Sequence, residues 1–155
     1  TLFQVESLDG VDALLALMDS EPERKGMLGL YHRESDTGLL LNFSSWNKLK
    51  TMLPESGQTL RELNTNILHL FVLETVFNID TNNQKDLRHV SYMRGNKPVS
   101  NMLKKEYDYT VACFVNPPSL EDVFNIAESG ETMPQKSTFF FPKIYSGLVT
   151  RCFEN

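Results

Sequence analysis

The chain has 155 residues, 41% of them hydrophobic and 23% charged, with a formal net charge of −5. That length suffices for one domain with a hydrophobic core, and the negative balance argues against general binding to nucleic acid or acidic membranes. No apolar run approaches the roughly 18–20 residues of a membrane span, and no secretory signal pattern opens the chain.

"LFQVE", Leu2 to Glu6, alternates apolar and polar residues and predicts a short strand. A helix is predicted over 9–19, capped by Ser7 or Asp9, with Val11, Leu14, Leu15 and Met18 on its apolar face. "GMLGLYHRESDTGLLLNFS", Gly26 to Ser44, predicts a β-hairpin around a turn at 34–38, with Gly38 available for positive φ. "SWNKLKTML" predicts a short helix capped by Ser44 or Ser45 and stopped by Pro54.

"TLRELNTNILHLFVLETVFNI", Thr59 to Ile79, predicts a helix buried on most sides. Thr59 and Glu62 have capping-box spacing, and a break is expected near Asn64, because Asn and Thr favour caps over helix interiors. "HVSYMRG", 89–95, predicts a strand, "KPVSNMLKKE", 97–106, a helix with Pro98 in its first turn, and "YDYTVACFV", 107–115, a further strand. "NPPSLEDVFNIAESG" predicts a loop and then a helix from Ser119, closed by Gly130. "STFFF" and "GLVTR" predict one or two last strands. Interleaved strands and helices with a hairpin indicate an α+β (mixed α/β) single domain, a mixed β-sheet with about five helices packed on it.

Chemistry concentrates near the C-terminus. Between Thr132 and Phe153 stand Lys136, Lys143 and Arg151 and no acidic residue, a local reversal of the chain's sign. Lys136, Ser137 and Thr138 offer an ammonium, two hydroxyls and backbone N–H groups, which suit a phosphate or carboxylate. Pro134 and Pro142 stiffen the stretch. Gln135 and Asn116 could orient a ligand there. The alternative is structural: lysines on an edge strand discourage aggregation, and the three phenylalanines fill a core.

His69, mid-helix among apolar side chains, is a general base, a metal ligand or a core histidine with one partner. His32 lies beside Glu34 and Asp36, a spacing equally common in solvated turns, and His89 has no evident partner. Arg94 ends one predicted strand and Asn116 follows another, positions that ligands favour in α/β sheets; turn chemistry explains them as well. The dinucleotide, P-loop, zincin and nucleophile-elbow motifs are all absent from the sequence, so no self-sufficient enzyme, metal centre or cofactor is indicated. Cys113 and Cys152, each among apolar neighbours, read as buried free thiols of a reducing cytoplasm, with one disulfide as the alternative. "NFS" at Asn42 to Ser44 matches a glycosylation sequon without a secretory context. An opening at Thr1 without a methionine fits a domain cut from a longer protein.

"AESGETMPQKSTFFFPKIYSGLV", Ala127 to Val149, resembles the C-terminal signature of an uncharacterised prokaryotic family catalogued as domain of unknown function 1015. "NTNILHLFVLE" is similar to that family's central helix, with Asn64 where an Asp is usual, and "ACFVNPPSLEDVFNIAESGE" to the segment before the signature. The family's proteins are usually longer. Their N-terminal part carries an "ADGHHR" segment reminiscent of the ParB-like fold, some of whose members are kinases of free serine or bind nucleotides. Nothing like it occurs here. The resemblance thus implies the C-terminal domain of a larger nucleotide-handling enzyme, with a phosphorylated small molecule or nucleotide held at Lys136, Ser137, Thr138 and Lys143, and the N-terminal domain as partner. A non-catalytic module docking on that domain or on a second copy is the other reading.

Overall fold

The hairpin forms from two apolar runs: strand β2 (Met27–His32) and strand β3 (Thr37–Phe43) pair antiparallel, Met27 opposite Asn42 and His32 opposite Thr37. The structure is a computed structural model that describes residues 1–81, 83, 85–93, 109–134, 137 and 138. Strand β1 (Phe3–Asp9) joins the other edge of β3, and β4 (Val111–Val115) the other edge of β2, so the order is β1-β3-β2-β4. The expected α+β class is observed, with five α-helices among the described residues: α1 (Gly10–Ser20), α2 (Trp46–Met52), α3 (Gln58–Arg61), α4 (Asn64–Ile67) and α5 (Leu120–Glu128). Over the described residues every strand pairing is antiparallel, so the sheet there is antiparallel where a mixed one was expected; the hairpin and its two flanking strands need no parallel crossover.

Side chains alternate across a strand, and here both faces are covered. Met27, Tyr31 and Leu40 pack against Val11, Leu14 and Met18 of α1 on one face. Leu28, Leu41 and Phe43 pack on the other against Leu49 of α2, Ile67 of α4, Phe71 and Val72. Two-sided burial explains why β2 and β3 read as near-continuous apolar runs instead of alternating ones. Leu14, Met27 and Phe71 are fully buried, each contributing about 1.5–3 kcal/mol.

Several local expectations change for physical reasons. Positive φ in the hairpin turn falls on Asp36 (φ 49°) and not on Gly38. Gly38 is a glycine for space: a Cβ there would sit 2.9 Å from the Gly10 carbonyl oxygen and 3.1 Å from Leu14 Cβ. Asp9 occupies the N-cap of α1 without a side-chain bond; the Gly10 N–H donates instead to the Asp36 carbonyl at 2.9 Å. Ser44 and Ser45 do not cap α2 either, as their hydroxyls donate to the Thr1 carbonyl at 3.0 and 3.1 Å.

Thr59 and Glu62 form no capping box, since α3 begins one residue before Thr59, with Gly57 at its N-cap. The break near Asn64 is present between α3 and α4. Beyond α4 the chain widens into a π-helical segment, Leu68–Glu74, in which three consecutive residues, Phe71, Val72 and Leu73, are buried. The strand expected over 89–95 is absent as far as Met93. Asp86–His89 is a 3₁₀ turn, held by Asp86 Oδ2 accepting from the Asp80 N–H at 3.2 Å and Asn83 Oδ1 from the Lys85 N–H at 3.0 Å. Tyr92 and Met93 are exposed, and among the described residues no strand pairs with them. The helix expected over 97–106, the start of the strand at 107–108 and the final strands from Phe139 onward lie outside the described residues.

Candidate functional site

A cleft of about 300 Å³ opens among the described residues. Three pieces of chain meet there: the loop between α1 and β2 (residues 22–25), the α3–α4 region (59–65) and the loop leading into α5 (116–122). Three prolines, Pro22, Pro117 and Pro118, line it and stiffen its loops.

Amide side chains hold these walls together. The Gly26 N–H donates to Asn64 Oδ1 at 2.7 Å, and Asn64 Nδ2 donates to the Arg24 carbonyl at 3.3 Å. Asn116 Nδ2 donates to the Met18 and Glu21 carbonyls, both at 3.2 Å. Asn116 is therefore at the cleft, as a strand-end ligand position should be, but both its donor hydrogens close the end of α1 and only its Oδ1 is left to face a ligand.

Ser119 caps α5 with a capping box: the Asp122 N–H donates to Ser119 Oγ at 3.0 Å, and the Ser119 N–H to Asp122 Oδ2 at 3.4 Å. Asp122 Oδ1 accepts from Lys25 Nζ at 3.0 Å. Desolvation opposes the charge on Asp122, yet the bonds from Lys25 and Ser119 outweigh it and hold the carboxyl below the usual carboxylate range. Lys25 is the one cation among the described lining residues, and it is paired. Glu23, Glu62, Glu121 and Asp122 make the described walls acidic.

Among the described residues of the tail, Ser137 touches a residue that lines this cleft. Ser137 is buried, and its Oγ lies 3.2 Å from Oγ1 of Thr65, a lining residue. Thr138 is exposed. The structure thus places Asn116 on the cleft and Ser137 behind it, touching the lining residue Thr65 without lining the cleft itself. Gln135, Lys136, Lys143 and Arg94 lie outside the described residues. His69 does not line the cleft; it sits on the π-helical segment, where burial lowers its pKa and Glu74 partly opposes that.

A second opening, of about 290 Å³, is lined by Glu74, Asn78, Asp80 and Asp86. Glu74 Oε1 accepts from Thr81 Oγ1 at 2.8 Å. Among the described residues no group of three or more His, Cys, Asp or Glu could hold a metal ion, and no helix is long and apolar enough to cross a membrane. Cys113 is a free thiol, its pKa pushed up to about 11 by burial; Cys152 lies outside the described residues.

Sequence reading missed Lys25, Asn64 and Thr65 as cleft residues. Lys25 and Asp122 are 97 positions apart, and nothing local announces such a pair. The Ser119-x-x-Asp122 spacing was the one visible signal, and it marks the start of α5 and not its tertiary partner. The chain matches no protein-family model, no curated protein and no solved structure.

Proposed function

We propose that this chain is the substrate-side domain of a larger nucleotide-handling enzyme and that its cleft takes a phosphorylated small molecule or nucleotide. The carrying observation is the contact between Ser137 and Thr65, which sets Ser137 against a lining residue of the cleft. In this reading the positive charge that a phosphate needs, and that the acidic described walls lack, comes from Lys136 and Lys143. Those acidic walls suit the hydroxyl or ammonium groups of the same ligand. Positioning and charge neutralisation are what phosphoryl transfer asks of a protein, and the resemblance of 127–149 to the uncharacterised prokaryotic family points the same way. A thermal-shift series with ATP, ADP and phosphoserine tests this. A stabilisation that Lys136→Ala removes is expected; absence of any shift, here and in the longer protein, overturns it.

A second reading, a docking module without a ligand, is favoured by α5. Leu120 and Phe124 stand one turn apart on that helix and are 70% and 63% exposed. Light scattering after size exclusion, with and without the separately expressed N-terminal half, decides it: a strict monomer that binds neither itself nor that half excludes docking.

A further inference from the structure

Strand β1 closes one side of the sheet, and among the described residues no strand pairs with its outer edge. The register fixes which backbone groups that edge presents. The Ser44 N–H donates to the Leu2 carbonyl at 3.0 Å and the Gly10 N–H to the Asp36 carbonyl at 2.9 Å, so the even-numbered residues of β1 turn their backbone toward β3. Phe3, Val5 and Ser7 therefore turn their N–H and C=O groups outward. Gln4, Val5, Glu6 and Ser7 are all exposed.

An open edge is a template for another strand, and proteins usually blunt one with Lys, Pro or a bulge. From Phe3 to Asp9 there is no Lys and no Pro, and the pairing with β3 runs without a bulge. Val5 stands opposite Leu41, on the face that carries Phe3 and Phe43, and is 59% exposed.

We propose that β1 pairs antiparallel with β1 of a second copy, about a twofold axis at Val5, so that one sheet runs across the dimer. The strand's own sequence selects this occupant and this register. Centred on Val5, Phe3 faces the second copy's Ser7 and the two valines cover each other, with about six backbone hydrogen bonds between the outward groups. Gln4 then stands opposite the second copy's Glu6, an amide donor beside a carboxylate. Centred on Glu6, the pairing would set Glu6 against Glu6, and like charges directly opposite are unfavourable. Centred on Gln4, it would call on the Thr1 carbonyl, which already accepts from the Ser44 and Ser45 hydroxyls. A few backbone bonds and one apolar contact make a small interface, at the weak end of specific ones, and each copy carries a net charge of −5. The dimer is therefore concentration-dependent and is tightened by salt, which screens the mutual repulsion. It is independent of the cleft and its ligand, and of α5.

Sedimentation equilibrium of the chain up to about 1 mM, in low and high salt, reads the association, and amide hydrogen exchange followed by NMR locates it. Association should rise with salt. The Phe3, Val5 and Ser7 amides should slow several-fold from dilute to concentrated samples, while Gln4, Glu6 and Leu8 stay slow throughout. Val5→Pro removes only an outward donor, which an edge strand tolerates, and should weaken association by more than about tenfold. Val5→Lys keeps every backbone bond, sets two cations against each other and should weaken it roughly tenfold. A strict monomer at the highest concentration in both salts overturns the pairing. So does a dimer that both Val5 variants leave intact, or one lost instead in Leu120→Ser, which would place the contact on α5. Outward amides that slow only when a basic extended peptide is added overturn the second copy as the occupant.

Discussion

Lys25 Nζ and Asp122 Oδ1 lie 3.0 Å apart and join the loop after α1 to the first turn of α5. Asp122 serves two partners, since its other oxygen completes the capping box with Ser119. The side chain of Lys25 is 41% exposed, so solvent screens the pair and it is worth under about 1 kcal/mol. The cap is worth about 1 kcal/mol. Asp122→Asn, which retains an acceptor for the cap, should therefore cost less than Asp122→Ala, and Ser119→Ala should lower the melting temperature by about 2–4 °C. Because the folded pKa of Asp122 is depressed, its contribution is present above the ordinary carboxylate value and is lost as pH falls through the folded one. Thermal melts of the three variants at neutral and acid pH check both statements.

Gly38 and Gly29 make a contrasting pair. A Cβ at Gly38 meets the Gly10 carbonyl oxygen, which is backbone and cannot move cheaply, whereas at Gly29 it meets Met18 Sδ at 2.5 Å, on a flexible side chain. Gly38→Ala should destabilise by about 1–3 kcal/mol, and Gly29→Ala by less. Urea unfolding measures the difference; equal costs would mean that α1 does not seat on β3 as described.

His69 carries a pH signature. Burial depresses its pKa, so the folded protein binds fewer protons there than the unfolded chain. Its neutral form is accommodated at full stability above about 6.5, the ordinary histidine value. Stability falls as pH drops from there through the folded pKa. The urea midpoint should decline as pH falls below about 6.5, and His69→Gln should flatten that decline. An unchanged slope would place the proton uptake elsewhere.

The elements that were legible in the sequence are those set by short-range physics. α1 follows from the spacing of Val11, Leu14 and Met18, and the hairpin from two apolar runs about a polar turn. α5 follows from Ser119 at one end and Gly130, at φ 76°, after the other. What failed locally was overridden by distant partners. Thr1 takes the serines expected to cap α2, and Asp36 supplies what a cap of α1 would have given. The strand expected over 89–95 had the right residues, but as far as Met93 it pairs with no strand among the described residues. The cleft was legible only in halves. Asn116 and Ser137 were each singled out by local chemistry, while Thr65, which lines the cleft with Asn116 and touches Ser137, sat inside an apolar helical run and gave no sign of a role.

The most direct test of the proposed site is a backbone-amide NMR titration of the chain with phosphoserine. The predicted result is a set of saturable shifts centred on Asn64, Thr65, Asn116 and Ser137, weakened by Lys136→Ala. Shifts confined to the exposed face of α5 around Leu120 and Phe124, or no saturable shift at all, would contradict it.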